Sequence, residues 1–201
     1  MATPSFTINF DYRCPFARNA NEHVVTALEG GADFDVEFLA FSLSEVHRDE
    51  NDPPVFVDES KRPELYALAA GIVVRDRDPE HFRAAHVALF AARHDEQKDL
   101  RERAVVLDAL RGAGVDAGQV EKELEEPWAF EVVQREHEDS VAKHQVFGVP
   151  TFIANDQSVF VRLMHRPAGD IALATDTIRR VVDLTAGWPE LNEFKHTSIP
   201  R

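Results

Sequence analysis

The chain has 201 residues, room for one ordinary domain or for one domain carrying a large insertion. Its 44% hydrophobic content supports a sizeable core and speaks against disorder. A formal charge of −14, from 36 acidic against 22 basic residues, argues against nucleic acid and against an anionic membrane surface, and serves solubility. Residues Phe6, Ile8 and Phe10 alternate with Thr7 and Asn9, the period-2 pattern of a strand. Pro15 then opens a helix with Phe16, Ala20, Val24 and Leu28 on one face, closed by Gly30-Gly31. Phe34 to Phe41 reads as a second strand, so the first 40 or so residues form a βαβ unit with a parallel pair.

A polar stretch with several prolines, Ser42 to Pro63, reads mainly as loop. From Pro63 to about Gln145 the period becomes helical. Leu65, Leu68 and Ala69 mark a first helix. Asp78-Pro79 reads as the cap and first position of a second, with Phe82, Ala85, Leu89 and Phe90 inward. Leu100, Ala104, Leu107 and Leu110 mark a third, Asp116 caps a short fourth, and Pro127 opens a fifth through Trp128 and Val141. Two short strands follow, Thr151 to Ala154 and Ser158 to Met164, joined by Asn155-Asp156-Gln157 as a hairpin. A last helix runs from Gly169-Asp170 to Gly187, and the tail from Trp188 to Arg201 is irregular. The predicted fold is α/β: βαβ and ββα halves sharing one mixed sheet (1–62 and 146–201), with an all-helical insertion (63–145) between them.

The one cysteine, Cys14, falls where the first strand hands over to the first helix. A helix N-terminus offers free N–H groups and the positive end of the dipole, both of which favour thiolate over thiol. A lone cysteine also serves as a small buried hydrophobe. With no second cysteine, any chemistry here is monothiol chemistry. Neither a secretory signal in Met1–Ser5 nor an apolar run of about 18 residues is visible, so a reducing cytoplasm is the expected compartment. The nine histidines do not suggest a metal. His81 and His86 are five apart, and His137 and His144 seven apart, neither matching a helical i,i+4 ligand pair. His86 reads as a core or boundary histidine near an apolar stripe. Tyr66, Trp128 and Phe130 read by default as core residues, with shaping a groove above Cys14 as the alternative.

The run Asp11-Tyr12-Arg13-Cys14-Pro15-Phe16-Ala17, together with Phe147-Gly148-Val149-Pro150-Thr151, resembles the DsbA-like branch of the thioredoxin superfamily. The resemblance spans about residues 5 to 187 and implies a thioredoxin-like fold with a helical insertion. The branch usually carries Cys-Pro-x-Cys at the helix start, and Ala17 stands at the second cysteine. It implies a thiol–disulfide oxidoreductase that, lacking a resolving thiol, depends on an external one. Kappa-type glutathione transferases and hydroxychromene carboxylate isomerases are relatives that use no thiol pair, though they usually have Ser at the position of Cys14.

The resemblance also implies site residues. Cys14 is the expected nucleophile, flanked by Pro15 and Phe16. Pro150 matches the cis-proline of the family and Val149 the main-chain clamp for an extended, peptide-like thiol. Arg13 is expected to lower the thiol pKa by proximity, or else to be a solvated loop cation. The loop containing His165 and Arg166, at the N-terminus of the last helix, is expected on the active-site side as a docking point for a carboxylate. No tightly bound cofactor is expected. The co-substrate would be a low-molecular-weight thiol, glutathione or mycothiol, and the partners a small thiol or disulfide and, for assembly, a second copy as a homodimer. Two readings stay open beside exchange: thiol-dependent transfer or isomerisation, and a redox-inactive protein that binds a peptide or small ligand.

Overall fold

The computed structural model describes residues 3–193 and 195–196; the ends of the predicted tail and of the first segment lie outside them. Four strands make one mixed sheet in the order β2-β1-β3-β4: β1 (Ser5–Phe10), β2 (Asp35–Ala40), β3 (Thr151–Ala154) and β4 (Gln157–Phe160). β1 pairs parallel with β2, Ser5 opposite Asp35 and Phe10 opposite Ala40. It pairs antiparallel with β3, Ile8 opposite Phe152. The parallel pair follows from the crossover helix α1 (Pro15–Glu29), which a two-residue hairpin could not replace.

β1 is central and its C-terminal half is covered on both faces, so a polar residue there is not a solvent position, whereas Ser5 at the start of the strand is exposed. Asn9 is fully buried, and its amide donates to Ser140 Oγ at 2.9 Å on the far helix α7 (Trp128–His144). Phe6, Ile8 and Phe10 bury against the opposite face.

Two sequence expectations are revised at β4. Asn155 and Asp156 both take positive φ (49° and 60°), giving a two-residue loop of the type that matches strand twist, so Gln157 belongs to the strand. The strand also ends at Phe160 rather than Met164. Side chains of α1 capture the chain beyond it: Asn19 donates to the Leu163 carbonyl at 2.7 Å, and Arg166 closes on Glu22.

The stretch 42–63 is more ordered than a loop. It contains a short helix α2 (Leu43–Val46) capped by Ser42, and a 3-10 turn (Glu59–Leu65) capped by Asp58. Glu45 ties it together by accepting from Val55 N–H at 2.7 Å. The helical segment continues with α3 (Tyr66–Arg77), α4 (Phe82–His94), α5 (Arg103–Gly112), α6 (Ala117–Glu123) and α7. α3 is buried from Ala67 through Val74, on every side rather than on one face, and packs on α4 to α7. Asp78 does not cap α4; it bonds His81 instead. Asp116 caps α6 and Asp170 caps α8 (Ile171–Gly187), as their positions in sequence suggest. No described helix is long and apolar enough to cross a membrane.

Candidate functional site: a capped thiol and two clefts

Cys14 caps α1. Its backbone is extended (φ −90°, ψ 119°), Pro15 takes the first helical position, and its sulfur accepts the Ala17 N–H at 3.4 Å. The extended backbone also turns the sulfur toward the segment before β3, where the thiol donates to the Val149 carbonyl at 3.3 Å. The Val149–Pro150 peptide is cis, and Thr151 Oγ1 donates to the Gly148 carbonyl at 2.7 Å, fixing the turn that presents Val149. Residues 135 apart in sequence thus meet at one sulfur. Around them lies an apolar surface. Phe147 is 69% exposed and packs on Phe160 with the rings tilted, centroids 5.3 Å apart, while Arg162 lies over the half-buried Phe16 ring. Pro15 is exposed beside it.

The thiol is not activated. Cys14 is only 8% exposed, and burial pushes its pKa above the ordinary thiol value; the Asp11 charge adds to the rise. The Ala17 and Phe16 N–H groups pull the other way and do not prevail. The dipole argument made from sequence therefore loses to desolvation, because the S–H is turned inward to a carbonyl rather than outward to water.

Arg13 is likewise not the expected electrostatic aid. Residues 11–14 form a turn closed by the Cys14 N–H on the Asp11 carbonyl at 3.0 Å, and the Arg13 guanidinium is drawn off toward α2 and the 3-10 turn. It pairs with Glu64 Oε2 at 2.6 Å, bonds Ser44, and approaches Asp11 at 3.5 Å. Asp11, 2% exposed, holds the loop by accepting from the N–H groups of Arg13 and Leu43, both at 2.8 Å.

The His165–Arg166 loop also sits elsewhere. Its path runs down α1: the His165 carbonyl meets His23, Arg166 pairs with Glu22, and Ile171 packs against Gly30, where an added Cβ would come within 2.2 Å of it. The N-terminus of α8 therefore abuts the C-terminal end of the 15-residue α1, a helix about 22 Å long. It does not flank Cys14. Arg166 is committed to Glu22 and Asp95, and the His165 side chain is exposed.

Between the sulfur side and the helical segment stands Tyr12. It is 1% exposed, and it fits because Gly71 of α3 has no side chain; a Cβ there would lie 2.4 Å from the phenol oxygen. Its hydroxyl meets His86 Nδ1 at 2.9 Å, and His86 Nε2 meets Asn21 Oδ1 at 3.0 Å. Asn21 gives its own N–H to the Ala17 carbonyl, so Nε2 carries the imidazole proton and the Tyr12 hydroxyl donates to Nδ1. Burial drives His86 down to about 3 and pushes the phenol up, so both stay neutral. His94 Nε2 donates to the Tyr12 carbonyl at 2.9 Å. Helix α4 thus holds the residue two before the cysteine by both ends.

Two clefts open on the far side of this wall, one on each side of the Arg13–Glu64 pair. The first has a volume of about 370 Å³ and lies between residues 11–13 and the α3–α5 region; the second, about 460 Å³, lies over α2 and the 42–63 stretch. Tyr66, Trp128 and Phe130 do not shape a groove over Cys14. Tyr66 packs on Phe130, with Arg62 over the Phe130 ring and Arg77 over Trp128. Among the described residues one group has ion-ligating geometry, Asp78, Glu80 and His81, but His81 is already bonded to Asp78 and the group lies at the start of α4, on the helical segment.

The model of the DSBA-like thioredoxin domain matches residues 7–165. The chain belongs to that family. Its membership makes this a chain of a thiol–disulfide oxidoreductase family, with a DsbA-like thioredoxin fold. Among solved structures it is similar to a probable DsbA oxidoreductase from Streptomyces coelicolor (16% identity, 96% of this chain and 93% of that one, TM-score 0.61). It is also similar to Pseudomonas aeruginosa DsbA (20% identity, 89% and 85% covered, TM-score 0.55). A third is a putative protein disulfide isomerase from Nitrosomonas europaea (14% identity, 90% and 99% covered, TM-score 0.58). Among curated proteins none matches. Asp11, Tyr12, Glu64 and His94 had no assigned part in the sequence reading. Asp11 and Tyr12 lie inside the quoted motif, whereas Glu64 and His94 reach the site only through the fold.

Proposed function

We propose that the protein is a monothiol member of its family, which takes up one half of a disulfide on Cys14 and returns it to a low-molecular-weight thiol. The observation that carries this reading is the position of the sulfur, at the N-cap of α1 and 3.3 Å from the Val149 carbonyl beside Pro150. In the first step the Cys14 thiol loses its proton to water and attacks R–S–S–R′. A Cys14–S–S–R bond forms, the S–S bond of the substrate breaks, and R′S⁻ leaves and is protonated. In the second step an external thiolate attacks the Cys14–S–S–R bond, giving R–S–S–R″ and Cys14 thiolate, which takes a proton. Ala17 supplies no internal thiol for the second step.

The raised pKa shapes the direction of this chemistry. For each tenfold loss of thiolate population, the more basic thiolate recovers about threefold in nucleophilicity, so attack slows only modestly. A basic thiolate is also a poor leaving group, so the mixed disulfide on Cys14 is long-lived. Such a thiol accepts and holds; it does not drive substrate oxidation as an acidic thiol does.

The test is mass spectrometry of the full chain with an S-glutathionylated peptide. An adduct on Cys14 should accumulate without added thiol and disappear when glutathione is added. No adduct under conditions in which free cysteine reacts would overturn the reading. It would favour the second one, a redox-inactive ligand-binding protein, which the burial of Cys14 supports.

A further inference from the structure

The charged cleft behind the active-site loop has an unbalanced member. Three guanidinium and three carboxylate groups line it, so it is neutral in sum. Arg13 is taken by Glu64, and Arg101 by Asp99 at 2.7 Å with Glu64 beyond at 3.7 Å. Asp11 is spent on the N–H groups of Arg13 and Leu43. Arg93, in the last turn of α4, makes no ion pair and no hydrogen bond among the described residues. Asp99 feels its charge but is held low, to about 2, chiefly by Arg101. In a chain with 36 acidic and 22 basic residues, an arginine left without a carboxylate in a cleft stands out. Arg13 and Arg101 in this cleft, and Arg48 in its neighbour, all have one. Tyr12, Ala67, Leu68 and Leu100 contribute the smaller, apolar part of the lining.

We propose that this cleft is the docking site of the resolving thiol, with Arg93 holding its carboxylate; the co-substrate is an anionic peptide thiol of the glutathione kind. The proposal rests on the monothiol reading above and names its co-substrate. An exposed guanidinium without a carboxylate partner matches the carboxylate of a short peptide, and the fork geometry of arginine suits a bidentate contact. The cleft wall is residues 11–13, and Cys14 follows directly. Mycothiol has no free carboxylate and gains nothing from Arg93. The site replaces the one expected at the N-terminus of α8, which the fold carries to the other end of α1.

The experiment uses the full chain and S-methylglutathione, which binds without exchanging. Calorimetry should show binding that weakens about tenfold or more in Arg93→Ala and largely returns in Arg93→Lys. The same ligand with its carboxylates esterified should bind the wild type as weakly as the acid binds Arg93→Ala. Arg83→Ala, at an exposed position of the same helix, should leave binding unchanged. Discharge of a Cys14 mixed disulfide should slow in Arg93→Ala with glutathione and stay unchanged with 2-mercaptoethanol. Equal affinity for acid and ester, no effect of Arg93→Ala, or no binding at millimolar ligand overturns the site. The two readings fail separately. Exchange at Cys14 without binding of the blocked thiol removes the cleft alone, and binding without exchange removes the monothiol reading alone.

Discussion

The two sides of the 11–14 loop differ in kind although they are one residue apart. On one side the Cys14 sulfur is buried, capped by an N–H and turned to a carbonyl. On the other, Arg13 enters a network of carboxylates and guanidinium groups flanked by two open clefts. The turn closed by the Cys14 N–H on the Asp11 carbonyl, with Arg13 at its third position, separates them. The difference teaches that proximity in sequence is a poor guide to electrostatics at a thiol. Arg13 is the nearest cation by number, yet its guanidinium is taken by Glu64 and Ser44, whereas the Asp11 charge raises the pKa of Cys14. Reactive chemistry and charge recognition are therefore set by different residues and can be broken one at a time.

The largest effect is expected on the sulfur side. Cys14→Ser should abolish adduct formation with the glutathionylated peptide outright, since the chain has no other thiol. Its fold should persist, because serine keeps the N-cap acceptor for the Ala17 N–H. Residual adduct would mean that the chemistry lies elsewhere. The gain-of-function partner is Ala17→Cys. Ala17 is fully buried and its N–H already touches the Cys14 sulfur, so a thiol there is placed to resolve an adduct from within. Both thiols should disappear on mild oxidation, and discharge should no longer need glutathione. Persistence of two free thiols after oxidation would show that the helix start cannot bring the pair together.

Next comes the wall between the two sides. His86→Leu strands the Tyr12 hydroxyl and the Asn21 carbonyl in the core, which should cost about 3 kcal/mol, read as a lowered urea midpoint. A pH dependence accompanies it. An unfolded histidine titrates near 6.5 and His86 in the fold only near 3, so between those values the unfolded chain binds more protons. Stability is then lost as pH falls from about 6.5 toward 3, with a contribution from this residue of up to about 1.4 kcal/mol per pH unit. The variant should be less stable at neutral pH but have a shallower acid slope, the remainder coming from His23, His94 and His137, which burial also lowers. An unchanged slope would mean that His86 does not stay neutral in the fold.

What could be read in advance follows the same division. The sheet and the helices announce themselves by period, and Cys14-Pro15 and Val149-Pro150-Thr151 by motif, because each is local. Asn9 misleads because a polar residue at a period-2 position looks like surface until the sheet is known to be covered on both faces. The path after Phe160 misleads for a similar reason. Whether β4 continues depends on Asn19, Glu22 and His23 of α1 reaching across to it, and no local signal carries that. Glu64 comes to the loop from the 3-10 turn and Arg93 and His94 from the end of α4, two distant places in the chain, so the charged side is not legible in the sequence. The thiol's protonation was misread because the dipole is visible in sequence and desolvation is not.

A smaller effect tests the one charge that does reach the sulfur. Asp11→Asn removes a negative charge near Cys14 while leaving an amide oxygen for one of the two N–H groups. The pH profile of Cys14 alkylation should move to lower pH. A move to higher pH would mean that loosening the loop buries the thiol further and outweighs the charge.

The smallest expected effect is the most discriminating. Arg13→Gln deletes the nearest cation, and if the guanidinium served the thiolate, the alkylation profile should move to higher pH. In the structure its partners are Glu64, Ser44 and Asp11, and both members of the Arg13–Glu64 pair are about a quarter exposed (28% and 24%). Such a pair is worth at most about 1 kcal/mol, and Arg101 stays within reach of Glu64 when Arg13 is gone. The alkylation profile should therefore stay where it is and the urea midpoint should barely change. A rise in the thiol pKa in this variant would put Arg13 back on the sulfur side, and the separation of charge from chemistry along the loop would have to be given up.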